Sequence, residues 1–202
     1  MQSSNDKLLF PDFKGAEDFI INRLNKELSP TLTYHGAHHM ADVMNAAMEI
    51  AEAEHLNEEE KNLLRVAVAF HDAGFIYVYK DHEKKGSEMA KEILPQFNFS
   101  DNQLKIITGM IMATKVPQKP KNLLEEIICD ADLDYLGRED VLDIAQTLFD
   151  ELKTHSNLAS EKKWDEMQVS FLKNHRYHTN YSKQLRQPGK QKYLEEIINR
   201  KI

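Results

Sequence analysis

Leu63-Leu64-Arg65-Val66-Ala67-Val68-Ala69-Phe70-His71-Asp72 is an apolar run that ends on an imidazole and a carboxylate side by side. Both are awkward at the tip of a buried helix. Burying them costs free energy unless something pairs with them, and a divalent cation pairs with both at once. Two other stretches strengthen that reading: Tyr34-His35-Gly36-Ala37-His38-His39 upstream and Cys129-Asp130-Ala131-Asp132-Leu133 downstream.

The upstream cluster runs through Met40-Ala41-Asp42-Val43 into an amphipathic stretch rich in Ala and Glu. Residues four apart share a helix face, so the spacing predicts His35 and His39 in one cavity and His38 turned aside. The chain then offers one imidazole from a first helix, His71 and Asp72 from the next, and a carboxylate from a later segment. Such a mixed nitrogen and oxygen set suits one divalent ion of Mn, Fe, Co, Ni, Zn or Mg, without choosing among them.

Apolar periodicity is helical almost throughout. Phe19, Ile20, Leu24 and Leu28 predict a helix over 14–28 that Ser29-Pro30 ends. A second is expected over 38–54. Asn57 and Glu60 form a capping signature for the helix that delivers His71-Asp72, after which Gly74 is expected to let the chain turn. Asp81 is expected to cap a helix reaching Leu94, and Ser100 with Gln103 opens another. Pro117-Gln118-Lys119-Pro120 reads as a loop. Helical patterns resume over 121–129, 138–153 and 161–174, then in the tail after Pro188-Gly189. One all-α domain over 1–202 is expected, an irregular helical bundle with its core at about 30–135 and a C-terminal helical extension at about 136–202.

The chain has 202 residues, 41% hydrophobic and 29% charged, enough for one sizeable core. A net charge of −7 argues against a general binder of nucleic-acid polymers or anionic membranes. Cys129 stands alone, so no disulfide framework exists, and its neighbours Ile127, Ile128 and Ala131 predict a packed thiol. The N-terminus does not read as a signal peptide and no run approaches a membrane span, so cytoplasm is the expected location. No feature specifies an oligomer.

One local exception stands against the acidic balance. Lys173, Arg176, Lys183, Arg186, Lys190 and Lys192 occur with no acidic residue among them. They read either as an electrostatic guide for an anionic substrate or as a solvated helical face. In the denser part, Arg176 is a candidate for gripping a phosphate in bidentate fashion, and His175 and Tyr177 for hydrogen-bonding or stacking. His82 and Lys115 are further candidates, each with an ordinary surface role as the alternative. His55, His155 and Trp164 read as structural.

His39, the His71-Asp72 pair and Asp132 resemble the H…HD…D pattern of the HD-domain metal-dependent phosphohydrolase superfamily. Residues 34–43 also resemble the Y-H-N-x-x-H-A-A-D-V segment of its cyclic-nucleotide phosphodiesterase branch. That resemblance implies His39, His71, Asp72 and Asp132 as metal ligands, with Asp130 the alternative to Asp132, and His35 as the histidine that protonates the leaving oxygen. His35 could instead orient an outer shell or start a helix. Gly36 and Ala37 replace the asparagines of the phosphodiesterase pattern, so cyclic-nucleotide hydrolysis is not carried over. His82 resembles the first of two histidines that hold a second metal in some members; the other would fall near Ile111-Met112-Ala113-Thr114, where none exists. One cation is therefore expected, and oxygenases needing two irons are disfavoured. The resemblance implies attack of a metal-bound water on the phosphate ester of a small, nucleotide-like metabolite, with Asp72 orienting the water. The alternative is a non-catalytic HD module that binds a nucleotide or a partner protein as a sensor.

Overall fold

The computed structural model describes residues 10–156, 158 and 160–200. At its centre lies α3 (Glu58–His71), opened by a reciprocal capping box between Asn57 and Glu60. Glu58, Glu59 and Glu60 fill its first turn, where the helix dipole favours negative charge. From Leu63 to His71 every residue except Arg65 is buried. Arg65 reaches back to Glu17 with two hydrogen bonds, of 2.9 and 2.5 Å. A helix apolar on all sides needs neighbours on all sides. They are α1 (Phe13–Glu27), α2 (Ala37–Ala53), α4 (His82–Ile93), α5 (Asp101–Ala113) and α6 (Leu123–Asp132), and all five pack on it.

A second apolar cluster forms around Leu136, Val141, Ala145, Leu172, Tyr193 and Ile197. It joins the 3₁₀ turn Asp134–Gly137 to α7 (Val141–His155), α8 (Glu161–Asn174) and, beyond the short α9 (Asn180–Leu185), α10 (Gln187–Arg200). Among the described residues there is no strand, and no described helix is long and apolar enough to cross a membrane. The all-α expectation holds.

Several local expectations are corrected. Gly74 is not used for conformational freedom, since no described glycine has a positive φ. It is used for space: a Cβ on Gly74 would lie 2.0 Å from the His82 carbonyl oxygen, and one on Gly86 would lie 2.7 Å from that of Phe70. These two glycines let α4 sit on the end of α3 and bring His82 beside Asp72. Asp81 occupies the N-cap position of α4 in a left-handed conformation, φ 59°, with no side-chain capping bond. Its carboxylate pairs with Lys115 instead. Pro188-Gly189 lies inside the first turn of α10, where a missing N–H costs nothing. The α9 helix, capped by Thr179, was too short to leave a periodic trace.

Gly74→Ala should therefore lower stability by about 1–3 kcal/mol, because backbone rather than a flexible side chain must yield. Urea denaturation measures it, and a variant as stable as the parent would show that α4 does not depend on this approach.

Candidate metal centre

Three helix ends meet at one point. His39 lies in the first turn of α2, His71 is the last residue of α3 with Asp72 as its C-cap, and Asp132 is the last residue of α6. His39 Nε2 stands 3.2 Å from Asp132 Oδ1 and 3.6 Å from Asp72 Oδ2. His71 Nε2 stands 3.2 Å from Asp72 Oδ2 and 3.6 Å from Asp132 Oδ1. Ligating atoms of His39, His71 and Asp72 all fall within 4.8 Å of one another, a group that could hold a metal ion.

The tautomer of His71 is set from behind. Its Nδ1–H donates to the Val68 carbonyl at 2.7 Å, which leaves Nε2 to face the cluster. Yet His71 Nε2 and Asp72 Oδ2 are buried and have no hydrogen-bond partner. Buried polar atoms in native proteins are nearly always satisfied. Two orphaned atoms facing each other, one a nitrogen and one a carboxylate oxygen, fit a divalent cation.

The electrostatics agree. Burial opposes the charged form of His71, but Asp72 and Asp132 outweigh it and hold the imidazole pKa well above its ordinary value. Burial also works against the ionised Asp132, but His39 and His71 bring it down to about 2. Positive charge among the carboxylates is thus strongly favoured.

His35 enters differently from the helical spacing argument. It precedes the α2 N-cap Gly36, so it shares no helix with His39, although the two rings lie 5.8 Å apart. Glu151 of α7 fixes it. This carboxylate, fully buried, accepts the His35 Nδ1–H at 2.5 Å and the backbone N–H groups of Tyr34 and His35 at 2.8 and 3.0 Å. Tyr79 donates its hydroxyl to the same group at 3.0 Å. Burial lowers the His35 pKa, but the bond to Glu151 and the nearby Asp72 more than offset it and raise the net value. Burial raises the pKa of Glu151, but the His35 bond and the two backbone N–H groups bring it to about 2. Phe75 stacks between His35 and His82, at 4.3 and 3.9 Å.

The sequence reading missed Glu151 and Phe75. Glu151 sits on the apolar face of α7, three residues after Leu148 and beside Leu152, and a carboxylate in such a stripe is the signal that was available.

The remaining candidates separate. His82 Nε2 lies 3.4 Å from Asp72 Oδ1 and the ring faces the cavity beside the cluster. Lys115 does not line that cavity; it is exposed and held by Asp81. His175 and Arg176 line a separate pocket. Asp130 is turned away, its carboxylate accepting from His178 N, Thr179 N and Thr179 Oγ1, each at 2.8 Å. Lys190, one of the basic island, is buried and donates to the His175 carbonyl at 2.8 Å. Burial is the main cause that brings its pKa to about 8. Cys129 is buried and donates to the Ala113 carbonyl, with its pKa pushed up mainly by burial.

Comparison with known proteins bears on the family and the fold. A model of the HD domain matches residues 36–198. A crystal structure of a predicted HD superfamily hydrolase from an uncultured Thermotogales bacterium superposes with a TM-score of 0.55 at 23% identity, covering 86% of this chain and 96% of that one. At that identity the likeness concerns the fold. No curated protein matches the chain in sequence.

The His35–Glu151 pair gives a pH prediction. A raised His35 contributes stability that is complete below its unfolded value near 6.5 and is lost as pH rises through the folded value. A lowered Glu151 contributes above its unfolded value near 4.5 and is lost on acidification towards about 2. Glu151→Gln should therefore cost most between those two ordinary values, by about 1.5–3 kcal/mol for a charge-assisted hydrogen bond. Denaturation of both proteins across pH checks it; a constant difference would contradict the pairing.

Proposed function

Because the chain belongs to the HD domain family, we propose that it is a metal-dependent phosphohydrolase, with one divalent cation held by His39, His71, Asp72 and Asp132. The observation that carries the reading is the pair of buried, unpartnered atoms, His71 Nε2 and Asp72 Oδ2, at the meeting point of three helix ends. Bound there, a cation supplies Lewis acidity and lowers the pKa of a coordinated water, towards about 7 in favourable zinc sites. The substrate is a small phosphorylated metabolite in the cytoplasm, and nucleotides are the first compounds to assay.

This chain's residues do the rest. Asp72 accepts a hydrogen bond from the attacking water and points it at phosphorus. A P–O bond forms to the water oxygen, whose proton passes by way of Asp72 to solvent, and the bond to the leaving oxygen breaks. His35, protonated and with Nδ1–H fixed on Glu151, presents Nε2–H to that departing oxygen, which otherwise leaves as a costly alkoxide. Glu151 is a positioning residue: it sets the ring orientation and favours the protonated form. His82 is placed to donate to a phosphoryl oxygen or to hold the free oxygen of Asp72. For a monoester the products are phosphate and an alcohol; for a diester, a phosphomonoester and an alcohol.

The test is phosphate release by metal-loaded protein from a panel of nucleotides, sugar phosphates and simple esters. Asp72→Ala should lose both bound metal, by elemental analysis, and turnover. His35→Ala should keep its metal and slow by about 10²- to 10⁴-fold. A His35→Ala protein that also loses its metal would overturn the acid role. Tight nucleotide binding with no turnover of any compound would replace the enzyme with a sensor.

A further inference from the structure

The cavity beside the metal centre is divided in character. Its volume is about 240 Å³. One end is polar, formed by His35, Asp72, His82, Glu83, Thr114 and Asp132. From there an arm extends between α7, α8 and α10, walled by Leu148, Leu152, Trp164, Met167, Phe171 and Leu172. Gln168 and Tyr193 are polar side chains among these walls, and the Tyr193 hydroxyl donates to the Gln168 amide oxygen.

Charge is distributed just as unevenly. Among the described residues, no lysine or arginine lines the cavity. Of the sequence candidates for such a role, Lys115 is paired with Asp81, and Arg176 lines an adjoining pocket rather than this one. A di- or triphosphate brings several charges that need cationic or multiple N–H partners. A sugar brings hydroxyls that lose water on entering an apolar arm and find few acceptors there. An alkyl or aryl body loses nothing polar and gains the transfer free energy of every carbon it buries.

We infer that the arm takes the apolar body of the substrate, so that the compound acted on is an alkyl or aryl phosphate carrying a single phosphoryl group, rather than a nucleoside polyphosphate. This rests on the phosphohydrolase reading for the phosphoryl end; the apolar arm stands on the wall residues alone. Polar head and apolar body are then read by different parts of one cavity, and each can be tested without the other. Trp164 is the single tryptophan of the chain and lines the arm, so its emission reports occupancy directly.

The experiment uses the full chain loaded with Zn²⁺, which does not quench by paramagnetism, and the non-hydrolysable probes methylphosphonate, hexylphosphonate and hexanol, with adenosine triphosphate as competitor. Affinities come from calorimetry, and occupancy of the arm from Trp164 emission. A buried methylene is worth about fourfold in affinity, so hexylphosphonate should bind at least about 30-fold more tightly than methylphosphonate and change Trp164 emission saturably. Met167→Lys, at a half-exposed position that tolerates the change, should reduce that ratio by at least about tenfold, since a charge then faces the alkyl chain. Equal affinity for the two phosphonates would overturn the inference and leave the metal centre untouched, as would displacement of hexylphosphonate by comparable concentrations of adenosine triphosphate. Hexanol binding as tightly as hexylphosphonate would uphold the apolar arm and overturn the phosphoryl reading.

Discussion

Two imidazoles and two carboxylates are forced together in the interior, with two of their atoms left unpartnered. Most of the architecture follows from holding that group in place. The helix that carries His71 and Asp72 is buried from Leu63 onward except at Arg65, and this burial holds its end away from water. The glycines at 74 and 86 let α4 lie against that end and close the space around Asp72. The Val68 carbonyl fixes the His71 ring so that its free nitrogen faces inward. Burial of this kind is expensive for each charge alone, and tolerable when opposite charges or a cation compensate.

The second half of the chain is part of the site. Glu151 arrives from α7 and ties down the backbone at Tyr34 and His35 as well as the His35 ring. Without that carboxylate the segment before α2 would have two N–H groups and an imidazole to satisfy elsewhere. The same helix, with α8 and α10, supplies the apolar wall of the cavity. The HD domain match, which runs to residue 198, spans both halves. Residues 136–202, read from sequence as a C-terminal extension, thus provide the carboxylate bonded to His35 and much of the apolar wall of the cavity.

Legibility from sequence followed the range of the interactions. Capping boxes at Asn57 and Ser100 are local, three residues apart, and both formed as read. The apolar run ending at Phe70 announced a buried helix because burial on all faces leaves no polar stripe. The motif residues named from sequence, His39, His71, Asp72 and Asp132, lie together in the structure. What could not be read were contacts between distant partners that no motif links. Asp81 looked like a cap, but Lys115, 34 residues on, takes its carboxylate. Lys190 looked like part of a solvated basic face, but the fold buries it against His175. Trp164 looked structural, but it lines the cavity. Glu151 reaches His35 across 116 positions, and no short-range pattern encodes such a bond.

The most direct measurement is anomalous diffraction from crystals grown with ample manganese, with data collected on either side of the metal edge. One peak is expected, enclosed by His39 Nε2, His71 Nε2 and carboxylate oxygens of Asp72 and Asp132. A manganese-free cluster in such crystals, or a peak that any of the four side chains turns away from, would contradict it.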